Sequence, residues 1–184
     1  VKNILSQDSH LISDFILIPS GLRRKANFEA IKKDGKIYLG FHRLHSRQII
    51  NIEECKILRS EIVILLEPLK ILLSEILENF QKAEFFIILS DSEAIDIGLE
   101  IQKIKVLNDE QRSKIYDFSM KQNIQRFTFR CGKIFDEIFS SGEKPYLKFA
   151  NYIVPIDPWS FMQTSKEAEL AMIQEIQNFI DLHQ

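Results

Sequence analysis

The residues with the clearest chemical potential are basic, and they lie close together in the first third of the chain. They are Arg23, Arg24, Lys25, His42, Arg43, His45 and Arg47. Lys and Arg side chains bind phosphate oxygens, which gives affinity for nucleic acid without sequence information. The two histidines could add hydrogen bonds there, although an exposed position at a strand end explains them equally well.

The distribution of charge is more informative than its total. The net charge is only −2, which argues against a free-standing polyphosphate-binding protein. Between residues 20 and 60, however, ten Lys and Arg face four Asp and Glu, whereas residues 61–184 carry 13 and 20. A solvated surface is the ordinary explanation of such a basic stretch, and contact with an RNA backbone is the functional one.

A complete catalytic arrangement is absent from the sequence. Glu53 and Glu54 are adjacent, and neighbouring side chains on a strand point to opposite faces, so they cannot act as an acid–base pair. The chain has no GxGxxG phosphate-binding loop, no HExxH motif and no recognisable Ser–His–Asp arrangement. A stand-alone enzyme of another class is therefore poorly supported.

Length and composition predict one domain of ordinary globular type. Cys55 and Cys131 are too few for a disulfide framework, which favours a reducing, cytoplasmic location. No apolar run approaches the roughly 20 residues that a membrane span requires, so no membrane partner is expected.

The basic stretch also contains the strongest local structural signal. Two alternating runs, 26–31 and 36–41, flank Asp34-Gly35, which predicts a hairpin with a type I′ turn, and a third run follows at 48–52. Phe28, Tyr38 and Phe41 are candidates for stacking on bases there, although aromatic residues on strands more often belong to a core.

Helices and further strands are predicted along the rest of the chain. Residues 58–80 should form a helix that is kinked or restarted at Pro68, Asn108 should cap a helix to Lys121, and Thr164 or Ser165 should cap a last one. Strands are expected at 11–19, 84–89, 94–101, 125–130, 133–139 and within 146–154, and residues 1–7 resemble the end of a helix. In 94–101, alternation predicts one buried and one solvated face. The fold class is α+β: a mostly antiparallel or mixed sheet with about three helices on one side.

Two segments resemble a known family when they are taken together. They are LGFHR-x-HSRQIINIEECKIL after the basic hairpin, and Pro158-Trp159-Ser160-Phe161-Met162-Gln163 near the C-terminus. Their order and spacing resemble the central domain of bacterial RNA uracil-5-methyltransferases, which use S-adenosylmethionine (SAM) to methylate ribosomal or transfer RNA. The resemblance covers most of residues 20–180.

The resemblance implies roles for three further residues. Gln163 matches the glutamine of an F-x-Q segment that reaches the SAM pocket, and Phe161 matches the aromatic residue near the target base. Cys55 matches the fourth ligand of an iron–sulfur cluster found in some members. A cluster needs about four thiolates and the three upstream cysteines are missing, so a cluster is not expected and Cys55 is vestigial or structural.

The resemblance further implies that residues 1–160 are the RNA-substrate domain and that 161–184 begin a truncated SAM-dependent domain. The nucleophilic cysteine and the proton-abstracting carboxylate of the family would lie beyond Gln184, so this chain alone is expected to be inactive. Two hypotheses follow: an RNA-binding half that works with a separate catalytic chain, or a degenerate remnant or interaction protein that binds neither SAM nor RNA.

Overall fold

The computed structural model of the chain describes residues 15–149 and 151–181. Its helices and strands are β1 (Lys25–Lys33), β2 (Lys36–His42), β3 (Ile49–Asn51), α1 (Ser60–Val63), α2 (Leu66–Ile76), β4 (Lys82–Leu89), β5 (Ile95–Ile101), α3 (Asp109–Lys121), β6 (Arg126–Cys131), β7 (Ile134–Ser140), β8 (Tyr146–Phe149), β9 (Tyr152–Pro155) and α4 (Lys166–Asp181). None of the described helices is long and apolar enough to cross a membrane.

Seven strands form one mixed sheet in the order β3-β2-β1-β4-β5-β6-β7, and β8 and β9 form a separate hairpin. Every neighbouring pair in the large sheet is antiparallel except β5 and β6, which are parallel because α3 makes the crossover between them. The predicted α+β fold is therefore confirmed.

The main core lies between the inner face of this sheet and helices α1 to α3. Alternate residues of the strands point into it, as the period of two requires. They include Phe28, Phe85, Ile97, Phe127 and Phe129, and they pack with helix residues such as Ile62, Leu69, Leu73 and Ile115. Helix α4 contributes nothing to this core, and Glu169 is its only buried residue.

The outer face of the sheet is covered in part, which corrects one prediction. Residues 94–101 were expected to have one solvated face, yet Asp96 is fully buried and so is Gly98. Pro158 and Trp159 lie directly on Gly98, so a segment 60 residues away in sequence excludes water from that face. A second small core of Ile88, Leu147, Ile156 and Met162 extends the cover.

The basic hairpin forms as predicted. Asp34 and Gly35 both have positive φ, 52° and 75°, as a type I′ turn requires. Beyond it, β3 pairs with β2 as its antiparallel neighbour, and a Cβ added at Gly40 would lie 1.9 Å from the carbonyl oxygen of Ile50. Glycine at position 40 therefore allows the third strand to approach the second.

The helix boundaries follow local chemistry. The expected helix 58–80 is broken after Val63 and restarts at Leu66, which leaves Pro68 in the first turn of α2, where a missing N–H costs nothing. The predicted Asn108 cap is confirmed, because Asn108 Oδ1 accepts a hydrogen bond from Gln111 N at 2.8 Å. For α4 the cap is Ser165, whose Oγ accepts from Ala168 N at 3.1 Å, and not Thr164.

The predicted strand at 11–19 is wrong for the part that can be compared. Residues 1–14, including the predicted helix end, lie outside the described residues, and 15–19 form no strand. Ile16 and Ile18 instead border a groove along α4 with Ala168 and Met172. Their alternation therefore serves contact with a helix and not pairing in a sheet.

Candidate functional site

The segment Pro158–Gln163 is anchored to the outer face of the sheet by Trp159. Its indole ring lies over Gly98, with ring carbon Cζ2 only 2.7 Å from where a Cβ would be. The indole Nε1 donates a hydrogen bond to Glu100 at 2.9 Å, and the guanidinium of Arg130 lies 4.3 Å from the ring centroid. This stacking of a cation on an aromatic face is favourable.

Two phenylalanines complete the enclosure of Trp159. The rings of Phe86 and Phe135 lie 5.6 and 5.5 Å from it, in tilted and edge-on orientations. Arg130 also forms an ion pair with Glu100, so the acceptor of the indole N–H is itself fixed. The backbone that follows Trp159 is therefore held in a defined position.

The basic tripeptide Arg23-Arg24-Lys25 contacts residues 158–163, which we call the F-x-Q segment, next to Trp159. Lys25 Nζ donates a hydrogen bond to the carbonyl oxygen of Ser160 at 2.6 Å. Burial lowers the pKa of Lys25, and the nearby Asp157 carboxylate partly offsets that effect. Two features 135 residues apart in sequence thus lie on one surface.

Arg24 has a different environment from the one the sequence suggested. Its side chain is buried and forms ion pairs with Asp91 at 2.5 Å and Glu169 at 2.7 Å. Its Nε also donates to the carbonyl oxygen of Gln163 at 3.4 Å, and its backbone N–H donates to Thr164 at 2.7 Å. With its guanidinium used in this way, Arg24 is not available to phosphate, and the expectation that it contacts RNA is corrected.

Lys166 completes a four-charge cluster that fixes α4 to the sheet. Its Nζ lies 2.8 Å from Asp91 and 2.7 Å from Glu169. Burial would raise the pKa of Asp91, but hydrogen bonds from Lys148 N and Lys166 and the charge of Arg24 outweigh it and lower that pKa. The same four charges line a cleft of about 360 Å³.

Phe161 and Gln163 flank the buried Met162 and differ in exposure. The Phe161 side chain is 84% exposed, which is unusual for a large aromatic residue on such a well-anchored segment. Gln163 is half-buried, and its backbone oxygen is the part that Arg24 holds. The geometry leaves Phe161 available for stacking and the Gln163 amide available as a donor and acceptor.

The remaining basic candidates lie outside the anchored segment. Arg23 Nε donates to the backbone oxygen of Lys25, and His42 Nε2 lies 2.9 Å from a Glu29 carboxylate oxygen. Arg43, His45 and Arg47 are exposed in the β2–β3 turn. Of the predicted basic residues, Lys25 and Arg24 therefore contact the F-x-Q segment, whereas the turn carries three solvent-facing ones.

The three aromatic candidates on the hairpin, Phe28, Tyr38 and Phe41, differ clearly in burial. Phe28 is buried in the main core, and Phe41 packs against it with ring centroids 5.1 Å apart. The hypothesis that Phe28 stacks on a base is therefore wrong. Tyr38 is 38% exposed and stays a candidate.

The two cysteines are free and half-buried. Within residues 15–149 and 151–181, no group of three or more His, Cys, Asp and Glu side chains is placed to hold a metal ion. Cys55 packs against the main core, as a small apolar side chain would.

A further buried ion pair was missed from the sequence. Asp96 accepts two hydrogen bonds from Arg126, at 3.1 and 2.6 Å, and Arg126 also donates to the carbonyl oxygen of Ile156 at 2.6 Å. Burial raises the pKa of Asp96 to about 6, although Arg126 works against that shift. The signal in the sequence was an aspartate within an apolar strand, where only a buried partner can stabilise it.

Comparison with known proteins gives consistent matches. The chain is 26% identical over 161 residues to the 23S rRNA (uracil(1939)-C(5))-methyltransferase RlmD of Photobacterium profundum, which covers 87% of this chain and 34% of that protein. It is 31% identical over 150 residues to an uncharacterised RNA methyltransferase of Brucella melitensis, covering 82% of this chain and 34% of that one. The chain thus spans about a third of the length of these relatives. No protein-family model matches it.

Among solved structures, the fold matches the Pyrococcus abyssi tRNA (uracil-54, C5)-methyltransferase in complex with S-adenosyl-L-homocysteine. The TM-score is 0.61 at 17% identity, over 96% of this chain and 45% of that one. At this identity the match establishes a shared fold.

The anchoring of Trp159 can be tested with Gly98→Ala. The added methyl group would overlap the indole ring and Pro158, so we expect Trp159 to be displaced and the protein to lose about 1–3 kcal/mol of stability. Because Trp159 is the only tryptophan, its fluorescence emission should shift to longer wavelength in a folded variant. Ser113→Ala, at an exposed helical position, is the control, and an unchanged spectrum for Gly98→Ala would refute the contact.

Arg24→Met tests the corrected role of Arg24. Removing the guanidinium from this buried cluster leaves two carboxylates that share the single charge of Lys166, so the free energy of unfolding in urea should fall by about 3–5 kcal/mol. Adding Glu169→Leu should restore part of that loss, because it removes one of the two carboxylates that share Lys166 and leaves Asp91 paired with it. A residue that only contacts RNA would leave stability unchanged, which is the outcome that contradicts this assignment.

Asp96 predicts a pH dependence of stability. The folded protein keeps the proton up to a pKa of about 6, whereas the unfolded chain releases it near 3.8, so the folded state binds more protons between these values. The contribution of Asp96 is therefore complete below about pH 3.8 and is lost as pH rises through 6. The melting temperature of the wild type relative to Asp96→Asn should fall across this window; a constant or rising difference would exclude the raised pKa.

Proposed function

Since the chain is homologous to a segment of RNA uracil-5-methyltransferases, we propose that it is the substrate-side, RNA-binding part of such an enzyme. Residues 1–160 would form the central RNA-binding domain, and residues 161–184 would begin the SAM-dependent domain. The substrate class is RNA that contains an accessible uridine. This proposal extends to the chain what its relatives' names say of them.

The observation that carries the proposal is the hydrogen bond between Lys25 and Ser160. It joins β1 to the segment that presents Phe161. Gly40 of β2 lies opposite Glu29 of β1, so the β2–β3 turn with its exposed cations follows at the end of β1 that carries Lys25. RNA is commonly recognised through unpaired bases stacked on aromatic rings, with Lys and Arg on the neighbouring phosphates. The exposed cations of the turn and the exposed ring of Phe161 would supply the two parts of that arrangement.

Each residue then has a proposed task. Arg43, His45 and Arg47, in the exposed turn, would contact the RNA backbone, and Phe161 would stack on an unpaired base near the target uridine. Arg23 and His42 are secondary candidates, because each already has a partner within the protein. Lys25 and Arg24 would act on the F-x-Q segment and not on RNA.

SAM, when bound, would supply the methyl group, and Gln163 is the residue of this chain that would reach it. One half-buried amide does not make a cofactor pocket by itself. We therefore assign no step of methyl transfer to residues 15–181. The catalytic groups would come from a SAM-binding domain, either in continuation of this chain or on a separate chain.

A second candidate function is a non-catalytic interaction protein that binds neither RNA nor SAM. The observation that favours it is the apolar surface of α4, where several large side chains are exposed. They include Leu170, Met172, Ile173 and Ile176. RNA titration distinguishes the two candidates, because only the first predicts affinity that falls steeply with salt.

The test is binding of a short uridine-containing single-stranded RNA, measured by fluorescence anisotropy at several salt concentrations. Phe161→Ala should weaken binding about tenfold at every salt concentration, because stacking on one base is lost. Arg43→Ala should reduce the slope of log K against log salt by about 0.7, the value for one phosphate contact on a single strand.

Two matched variants on α3 serve as controls: Tyr116→Ala removes a partly exposed aromatic ring and Lys121→Ala an exposed cation. Both should bind RNA as the wild type does. If the wild-type protein shows no salt-dependent binding to RNA, the RNA-binding proposal is wrong and the interaction protein becomes the better explanation.

A further inference from the structure

The outer face of the sheet carries a second feature, a cleft of about 310 Å³ that we call the basic cleft. Its lining includes Lys33, Tyr38, Arg47 and Lys82, with Ile31 and Ile49 as apolar neighbours. It differs in composition from the cleft around Arg24, whose lining contains both acidic and basic side chains. No carboxylate lines the basic cleft.

Strand register explains why these side chains converge. Ile31 of β1 lies opposite Tyr38 of β2 on one side and opposite Lys82 of β4 on the other, so the three share a face. Lys33 is two residues further along β1 and points the same way. Arg47 reaches the cleft from the β2–β3 turn.

The basic cleft lies on the same face as the F-x-Q segment. Lys25, which contacts Ser160, precedes Ile31 by six residues, and an even spacing keeps both on the outer face. The rise of a strand places the two positions about 20 Å apart along β1. Glu29 and Glu84 form the opposed pair between them, which separates the cationic cleft from the segment.

The cations of the basic cleft are not used by the protein. Lys33, Arg47 and Lys82 take part in none of the side-chain hydrogen bonds or ion pairs among the described residues, whereas Arg24, Arg126 and Arg130 are each held by carboxylates. Three unpaired cations that surround one concave site with no acid favour an anionic ligand. Tyr38 adds a ring that is partly exposed beside them.

We propose that the basic cleft is a phosphate-binding subsite for single-stranded RNA. Lys33, Arg47 and Lys82 contact a phosphodiester, and Tyr38 stacks on an adjacent base. The subsite holds the RNA strand on the outer face of the sheet, at a distance from the base that stacks on Phe161. It rests on the proposed function for the identity of its ligand as RNA.

The experiment compares two probes, the uridine-containing RNA and inorganic polyphosphate, which has phosphates but no bases. The variants are Lys33→Ala/Lys82→Ala, Tyr38→Ala and Tyr38→Phe. The control is Lys121→Ala/Lys133→Ala, which removes two exposed cations from α3 and from the β6–β7 turn. Urea unfolding of each variant establishes that it is folded before binding is measured.

We expect Lys33→Ala/Lys82→Ala to reduce the salt slope for RNA by about 1.4, twice the value for one contact, and the control to leave it unchanged. Tyr38→Ala should weaken RNA binding about tenfold, Tyr38→Phe should not, and neither should alter polyphosphate binding. If the wild type binds RNA but the lysine variant keeps its slope, the subsite is wrong and the proposed function stands.

If both lysine variants, cleft and control, lower the slope equally, binding is diffuse and the subsite is likewise overturned. An unchanged RNA affinity in Tyr38→Ala would overturn the stacking role. Absence of any RNA binding by the wild type would instead defeat the proposed function on which the subsite rests.

Discussion

The arrangement of this protein depends on a charge that is buried between the sheet and the segment that covers it. The Arg24 guanidinium reaches two carboxylates and a backbone carbonyl from three separate parts of the chain: the β4–β5 turn, the F-x-Q segment and α4. Burial makes such a group costly unless every donor is used, and here the structure provides an acceptor for each side-chain nitrogen. The hydrogen bonds that satisfy Arg24 therefore also fix the backbone of Gln163, although these residues are distant in sequence.

Trp159 provides the apolar counterpart of that electrostatic contact. Gly98 leaves a space on the sheet, the indole ring fills it, and Arg130 and Glu100 fix the ring from above and at its edge. The two contacts lie on either side of Phe161. A flexible loop could not present an aromatic ring in a fixed orientation, whereas a segment held at both ends can.

Local chemistry made much of the fold predictable from the sequence. The Asp34-Gly35 turn, the Asn108 cap and the helix break near Pro68 depend on a few neighbouring residues, and each was predicted correctly. Predictions that depended on distant partners were less reliable. Arg24 looked like a phosphate contact because its two carboxylates lie 67 and 145 residues away, and the solvated face of β5 was wrong because its cover comes from Trp159.

The same limit applies to the candidate site. The resemblance suggested Phe161 and Gln163. The sequence did not indicate that Lys25 would hold the backbone at Ser160, directly before Phe161. Nor did it indicate that Arg126, paired with Asp96, would donate a hydrogen bond to the carbonyl oxygen of Ile156. These contacts join elements that have no pattern in common, so neither periodicity nor motif spacing could reveal them.

The separation of these contacts along the chain has a consequence for biosynthesis. The pairs Lys25–Ser160 and Arg24–Glu169 are 135 and 145 residues apart, so they can close only after nearly the whole described chain has been translated. Earlier hairpins can form on the ribosome, since the N-terminal part emerges first. A nascent chain would therefore display its cationic strands well before the segment that carries Phe161 is held in place.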